Sequence, residues 1–102
     1  MTKDEIIAKL LEHRSEFEAA GITHMSLFGS VARGDDGPES DIDVAVSLED
    51  RIFQSGFGYF STLESVRERI EDITGRSVDI LSEPVQKERL RRELERDRIV
   101  AF

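Results

Sequence analysis

The sequence predicts an α+β protein in which helices pack on a small mixed β-sheet. Three segments show the alternation or the β-branched content of strands, and three show the apolar spacing of amphipathic helices. Along the chain their order is helix, strand, turn, strand, helix, strand and helix. Because 38% of the 102 residues are hydrophobic, we expect one modest core and a single domain over residues 1–102.

The first helix and the first strand are marked by local signals. Thr2 and Glu5 have the spacing of a capping box, and the apolar residues that follow recur at helical spacing, which predicts a helix over residues 3–20. Residues 22–28, ITHMSLF, run directly into Gly29 and are typical of a short strand. The segment after Gly29 is rich in turn formers, so at most one helical turn is expected there.

A second strand is predicted over residues 41–48. Its residues alternate in period two, with Ile42, Val44 and Val46 on one face and acidic residues on the other. Residues 51–62 hold two glycines among several aromatic residues, and this composition predicts a loop.

The last third of the chain predicts a helix, a strand and a final helix. Apolar side chains recur every three or four residues from Leu63 up to a stop at Gly75, as in an amphipathic helix. Residues 76–82 are typical of a third strand. Pro84 suits the first turn of the last helix, which is predicted over residues 84–97.

The strand at 41–48 carries two aspartates, a residue type that strands normally disfavour. Asp41 and Asp43 lie two positions apart, so their carboxylates project to the same side of the strand, about 6.6 Å from each other. Like charges held close need protonation, a basic partner or a divalent cation. If Asp79 on the third strand joins them, three carboxylates suit one or two magnesium ions and phosphoryl transfer.

Gly29 and Ser30 follow the first strand and are suited to a phosphate. Glycine permits close approach of the backbone, and free N–H groups together with a serine hydroxyl can bond phosphate oxygens. The alternative is that the aspartates are solvated acids on an exposed strand edge. Asp79 could equally pair with Arg76 or Arg51.

Two further residues have both a structural and a ligand-binding interpretation. Arg33 could contact phosphate, although arginines in such turns more often hold the loop through a carboxylate. Ser40 is suited to bracing the turn before Asp41, with direct contact to the nucleotide as the alternative.

The motifs GSVARG and SDIDVAV together resemble the G-S-x-A-R-G … S-D-x-D signature of the DNA polymerase beta-like nucleotidyltransferases, and in particular their minimal branch. The later V-D-I-L strand and the R-L-R-x-E-L-type final helix extend the resemblance over nearly the whole chain. It implies the polymerase beta-like fold, with Gly29 and Ser30 on the triphosphate. It also implies that Asp41 and Asp43 bind two magnesium ions, with Asp79 as the third carboxylate that activates the acceptor hydroxyl.

The resemblance also implies a reaction and a partner. ATP would be the substrate, and AMP would be transferred to a hydroxyl with release of pyrophosphate. Minimal members typically accompany a HEPN-domain toxin and silence it by adenylylating a tyrosine, so the chain is expected to act as a type VII-like antitoxin and to form a hetero-oligomer with that toxin. The alternatives are a non-catalytic antitoxin that binds its partner stoichiometrically, and transfer to a small-molecule or RNA hydroxyl.

Composition restricts the other classes of partner. A net charge of -8 disfavours direct nucleic-acid binding, although residues 84–102 carry six basic and four acidic side chains. The absence of cysteine and the presence of only two histidines leave a carboxylate-bound hard cation as the metal to expect. No apolar run approaches the roughly 18 residues of a membrane span, and the N-terminal pattern is not that of a signal peptide, so a cytoplasmic protein is expected.

Overall fold

The computed structural model describes all residues 1–102 and confirms the α+β class, with six helices and a four-stranded mixed sheet. The helices are α1 (Lys3–Glu12), α2 (Arg14–Ala19), α3 (Gly29–Arg33), α4 (Asp50–Phe53), α5 (Phe57–Thr74) and α6 (Glu88–Asp97). The strands are β1 (Ile22–Phe28), β2 (Ile42–Leu48), β3 (Val78–Ser82) and β4 (Ile99–Val100). None of the helices combines the length and the apolar character that crossing a bilayer requires.

The sheet has the strand order β3-β2-β1-β4. β1 runs antiparallel to both β2 and β4, whereas β2 and β3 are parallel. A parallel pair needs a long crossover connection, and the segment that contains α5 provides it. The two central strands therefore carry neighbours on both sides, and β3 lies at the edge.

The two faces of the sheet bury different amounts of apolar surface. Successive strand residues point to opposite faces, so Leu27 and Val44 enter the main core of 17 buried residues. On the other face, Phe28 and Ala45 form a small cluster with Leu94 of α6. The carboxylate of Asp43 in β2 projects from this second face, because Asp43 alternates with the core residues and is paired with Phe28.

The predicted helix over residues 3–20 is wrong in one respect, because the chain forms two helices that meet at His13. The backbone of His13 (φ -104, ψ 13) departs from helical geometry and ends α1. α2 then buries Phe17 against Phe102, with the two ring centroids 6.5 Å apart. The capping box of Thr2 and Glu5 is present.

The loop predicted over residues 51–62 is instead largely helical. It contains α4 and the first turns of α5, separated near Gly56, where φ is +64. Tyr59 packs edge-on against the rings of Phe53 and Phe60, at 5.6 and 5.0 Å between centroids. These aromatic contacts and the packing of Tyr59 against the core stabilise a helix in a segment whose glycines favour a loop.

The C-terminal boundaries also differ from the prediction. β3 begins at Val78 rather than at residue 76, and α6 begins at Glu88 rather than at residue 84. The short apolar segment after α6 forms β4, which the sequence did not predict as a strand. Its pairing with Ser26 and Leu27 of β1 extends the sheet on the side away from β3.

Candidate active site

The turn between β1 and α3 lies directly against an aspartate of β2. Gly29 has a φ of +75, and a Cβ atom added to it would lie 2.2 Å from Oδ2 of Asp43. No side chain fits at this position without moving the carboxylate. Gly29 is also the first residue of α3, so the helix starts beside Asp43, and the partly exposed Ser30 follows as its second residue.

The parallel register of β2 and β3 brings the predicted aspartates together. Asp43 and Asp79 are direct register partners, and Asp41 lies just before β2. Neighbouring strands are about 4.8 Å apart, so the two side chains share one small patch of the sheet face. Asp43 is half-buried, whereas Asp41 and Asp79 are exposed. The structure therefore places the three predicted carboxylates at one site.

The electrostatics of this site disfavour a second and a third negative charge. Burial, followed by the charges of Asp79, Glu93 and Asp41, raises the pKa of Asp43 to about 6, while Arg33 acts in the opposite direction. Burial raises the pKa of Asp79 as well, and the charge of Asp41 and a hydrogen bond to it add to the effect. A bound cation would relieve this repulsion.

The donor set suits a hard divalent cation, because carboxylate oxygens are the ligands that magnesium prefers. A side chain at position 29 would crowd the Oδ2 atom of Asp43, and glycine avoids this. As the side chains stand, no three of the His, Asp and Glu groups are arranged around one point as metal ligands. Binding an ion would therefore require the carboxylates to rotate.

A cavity of about 410 Å³ opens beside the carboxylates. Asp43 and Asp79 line it, together with Phe28 and with Leu90 and Glu93 of α6. The sequence analysis did not identify Glu93 as a site residue. Its position follows from Leu94, whose burial in the small cluster turns α6 toward the carboxylates.

Arg33 and Ser40 hold the loop between α3 and β2. Arg33 donates through Nη1 to Asp97 at 2.7 Å and through Nε to Asp35 at 3.1 Å. The hydroxyl of Ser40 accepts a hydrogen bond from the N–H of Gly37 at 2.9 Å. These contacts favour the structural interpretation of both residues, and direct contact with a nucleotide stays a prediction.

The alternative ion pairs considered for Asp79 are not formed. Arg76 pairs with Asp36 at 3.1 Å and donates to the carbonyl of Ser40 at 2.8 Å, whereas Arg51 pairs with Glu49 at 2.7 Å. Asp79 therefore remains available to the site.

These features suit a nucleotidyltransferase, and comparison with known proteins shows that class. Residues 5–102 match the family model described as polymerase beta, nucleotidyltransferase, and the chain belongs to that family. The prediction of a polymerase beta-like fold and of a nucleotidyltransferase enzyme is confirmed. The chain also superposes, with a TM-score of 0.71, on a solved structure provisionally described as a minimal nucleotidyltransferase. That likeness, at 28% identity, covers 97% of this chain and 95% of the other.

Two further similarities concern proteins whose descriptions mention adenylylation. A protein of Methanocaldococcus jannaschii, provisionally named protein adenylyltransferase MJ1379, is 36% identical over 61 residues, which are 60% of this chain. The match spans 57% of that relative's length. The fold also matches, with a TM-score of 0.67 and 14% identity, a structure described as a tri-AMPylated Shewanella oneidensis HEPN toxin in complex with MNT antitoxin; the likeness covers 99% of this chain and 72% of that one.

Proposed function

We propose that the chain is a cytoplasmic, magnesium-dependent protein adenylyltransferase that acts as an antitoxin. It transfers AMP from ATP to a tyrosine hydroxyl of a cognate HEPN-domain toxin, with which it forms a hetero-oligomer. The observation that carries the proposal is the pairing of Asp43 with Asp79 across parallel strands, with the Gly29 turn against Asp43.

The reaction is an in-line displacement at the α-phosphorus. The tyrosine oxygen forms a new bond to the α-phosphorus. The bond between the α-phosphorus and the oxygen that bridges the α- and β-phosphates breaks, and pyrophosphate leaves with the electrons of that bond. Magnesium, held by Asp41, Asp43 and Asp79, would supply neutralisation of the triphosphate charge and a lower pKa for the acceptor hydroxyl.

The chain's own residues have distinct roles in this scheme. The backbone at Gly29 and the hydroxyl of Ser30 bind phosphate oxygens at the start of α3. Asp79 stands at the exposed edge strand, where an incoming hydroxyl has access, and accepts its proton. The raised pKa of Asp79 brings its basicity closer to that needed for proton transfer near neutral pH.

A protein acceptor is supported by charge and by similarity. With a net charge of -8, the surface repels polynucleotides over most of its area. The structure that shares the fold is described as an AMPylated HEPN toxin with its antitoxin, and the Methanocaldococcus jannaschii relative is named as a protein adenylyltransferase. Both descriptions favour a protein hydroxyl.

The decisive experiment is intact-mass spectrometry of the protein encoded by the neighbouring gene. It is incubated with this chain, ATP and magnesium, and compared with the D41N/D43N variant and with D50N/D72N, which alters two exposed aspartates on α4 and α5. We expect a gain of one or more AMP groups that disappears only in the D41N/D43N variant. An unmodified partner, or equal modification by D41N/D43N, would contradict the proposal.

A second candidate function is neutralisation by stoichiometric binding alone. It is favoured by the exposed aromatic side chains of α5, where Phe57 and Phe60 are 88% and 69% exposed. In this case the partner would be silenced in a stable complex without any change in its mass. Transfer to a small molecule or to an RNA end would instead proceed without a protein partner.

A further inference from the structure

A cleft lined only by charged side chains lies between the end of α3 and α6. Its volume is about 560 Å³. Four arginines and two glutamates form its walls: Arg33, Glu88, Arg89, Arg92, Glu93 and Arg96. In a protein with a net charge of -8, this concentration of guanidinium groups is a local positive region within a negative surface.

The cleft adjoins the carboxylate site. Glu93 lines both the charged cleft and the cavity that contains Asp43 and Asp79. Arg33 lies three residues after Ser30, at the end of the same short helix. A ligand whose one end lies at the carboxylates can therefore extend along α6 into the cleft.

Three of the four arginines in the cleft form ion pairs with carboxylates, and one does not. Arg33 and Arg96 both bind Asp97, at 2.7 and 2.8 Å, and Arg92 binds Glu88 at 2.6 Å. Arg89 is the one guanidinium in the cleft that forms none of the ion pairs of the structure. It is exposed and lies one helical turn before Arg92 on the same side of α6.

We infer that the arginine cleft receives the distal phosphates of the nucleotide, with Arg89 as their direct ligand and Arg92 beside it. The inference rests on the proposed function only in taking a nucleoside triphosphate as the substrate. Reaction at the α-phosphorus places that phosphate near Asp41 and Asp43. The β- and γ-phosphates must then lie beyond the carboxylates, and the adjoining cleft supplies positive charge for them.

The chemistry of arginine suits this role. A guanidinium binds phosphate oxygens through two parallel N–H donors, a geometry that lysine lacks. As the leaving pyrophosphate gains the electrons of the broken bond, its negative charge grows, and fixed positive charge beside it stabilises the transition state. Arg89 is therefore expected to affect binding of the polyphosphate chain and not binding of the base or ribose.

The test compares R89A with R91A in calorimetric titrations without any partner protein. Arg91 is also exposed and lies on α6, but outside the cleft, where it faces Glu95 at 4.0 Å. The probes are ATP, AMP and inorganic tripolyphosphate, each with magnesium. We expect R89A to weaken binding of ATP and tripolyphosphate about tenfold or more, because a charge-assisted hydrogen bond is lost. Binding of AMP should change little, R91A should resemble the parent, and R89K should recover part of the loss.

The inference is overturned if R89A binds ATP as tightly as R91A does, or if it weakens ATP and AMP equally. Weaker binding of a partner protein by R89A, with unchanged nucleotide binding, would reassign the cleft to a protein contact and would overturn it as well. A parent chain that binds ATP no more tightly than AMP would do the same. The proposed function fails separately, if no protein acceptor gains AMP although the selective effect of R89A on ATP is observed.

Discussion

Replacement of Gly29 by alanine tests whether the backbone turn and the carboxylate of Asp43 form one unit. The added Cβ would lie 2.2 Å from Oδ2 and 3.1 Å from Cγ of Asp43, and the φ of +75 is unfavourable for alanine. To restore a normal contact distance, Asp43 or the turn must move by about 1 Å. The substitution therefore displaces a proposed metal ligand without removing any functional group.

The structure offers two matched controls for the backbone cost alone. Gly34 and Gly75 have φ values of +78 and +70, and an added Cβ at either position would meet nothing within 4 Å. Alanine in left-handed backbone costs about 1–2 kcal/mol, so G34A and G75A should lose about that free energy of unfolding. G29A should lose a further ~1–3 kcal/mol, as expected for overpacking.

Urea unfolding and the rate of AMP transfer measure the two effects. A displacement of about 1 Å at a catalytic group can lower a rate by about 100-fold, and we expect a loss of this size in G29A at a temperature where all variants are folded. G34A and G75A should retain rates near that of the parent. If G29A is no less stable than the two controls and transfers AMP at the parent rate, the close approach of Gly29 to Asp43 has no functional consequence and the reasoning is refuted.

Three further predictions concern the carboxylates. D79N should lower the rate of AMP transfer by about 100-fold or more, as expected for loss of a general base, without lowering the free energy of unfolding; a rate near that of the parent would contradict the role of Asp79. D43N should increase the free energy of unfolding at pH 7 in the absence of magnesium by about 1 kcal/mol, after allowance for solvent screening. The reason is that the pKa of Asp43 in the folded protein, about 6, lies above its ordinary value of 3.8, so ionisation of Asp43 destabilises the fold as the pH rises from 3.8 to 6. If urea unfolding shows that D43N is less stable than the parent, this prediction is contradicted. Ionisation of Asp97, in contrast, stabilises the fold, because hydrogen bonds from Arg96 and Arg33 lower its pKa to about 2. Its contribution to the free energy of unfolding is present above the ordinary pKa of 3.8 and is lost as the pH falls toward 2. D97N should flatten the pH dependence of urea unfolding between pH 4 and 2, and an unchanged slope would show that this ion-pair network does not stabilise the fold.

The fold class and most of the elements could be predicted because their signals are local. Apolar alternation marks β2, and the capping box of Thr2 and Glu5 marks the start of α1. The spacing of Asp41 and Asp43 predicts that they share one face, and the alternation of β2 puts Asp43 opposite the main core. Each of these predictions depends only on residues within one element.

The predictions that were wrong concern segments whose local signals are overridden by long-range packing. Glycines at 56 and 58 favour a loop, yet Tyr59 joins the aromatic contacts that support α5. The helical spacing of residues 3–20 continues past His13, yet the chain bends there as Phe17 packs on Phe102. Neither contact can be read from the spacing within a segment.

The sequence by itself determined the chemistry available to this protein: the glycine-serine turn, the three aspartates and the arginines of the last helix. The tertiary structure alone decided which of them meet. The parallel register of β2 and β3 sets Asp79 against Asp43, and the burial of Leu94 brings Glu93 and the arginine cleft beside them. Strand order and helix docking depend on contacts between residues far apart in the chain, and local periodicity carries no information about such contacts.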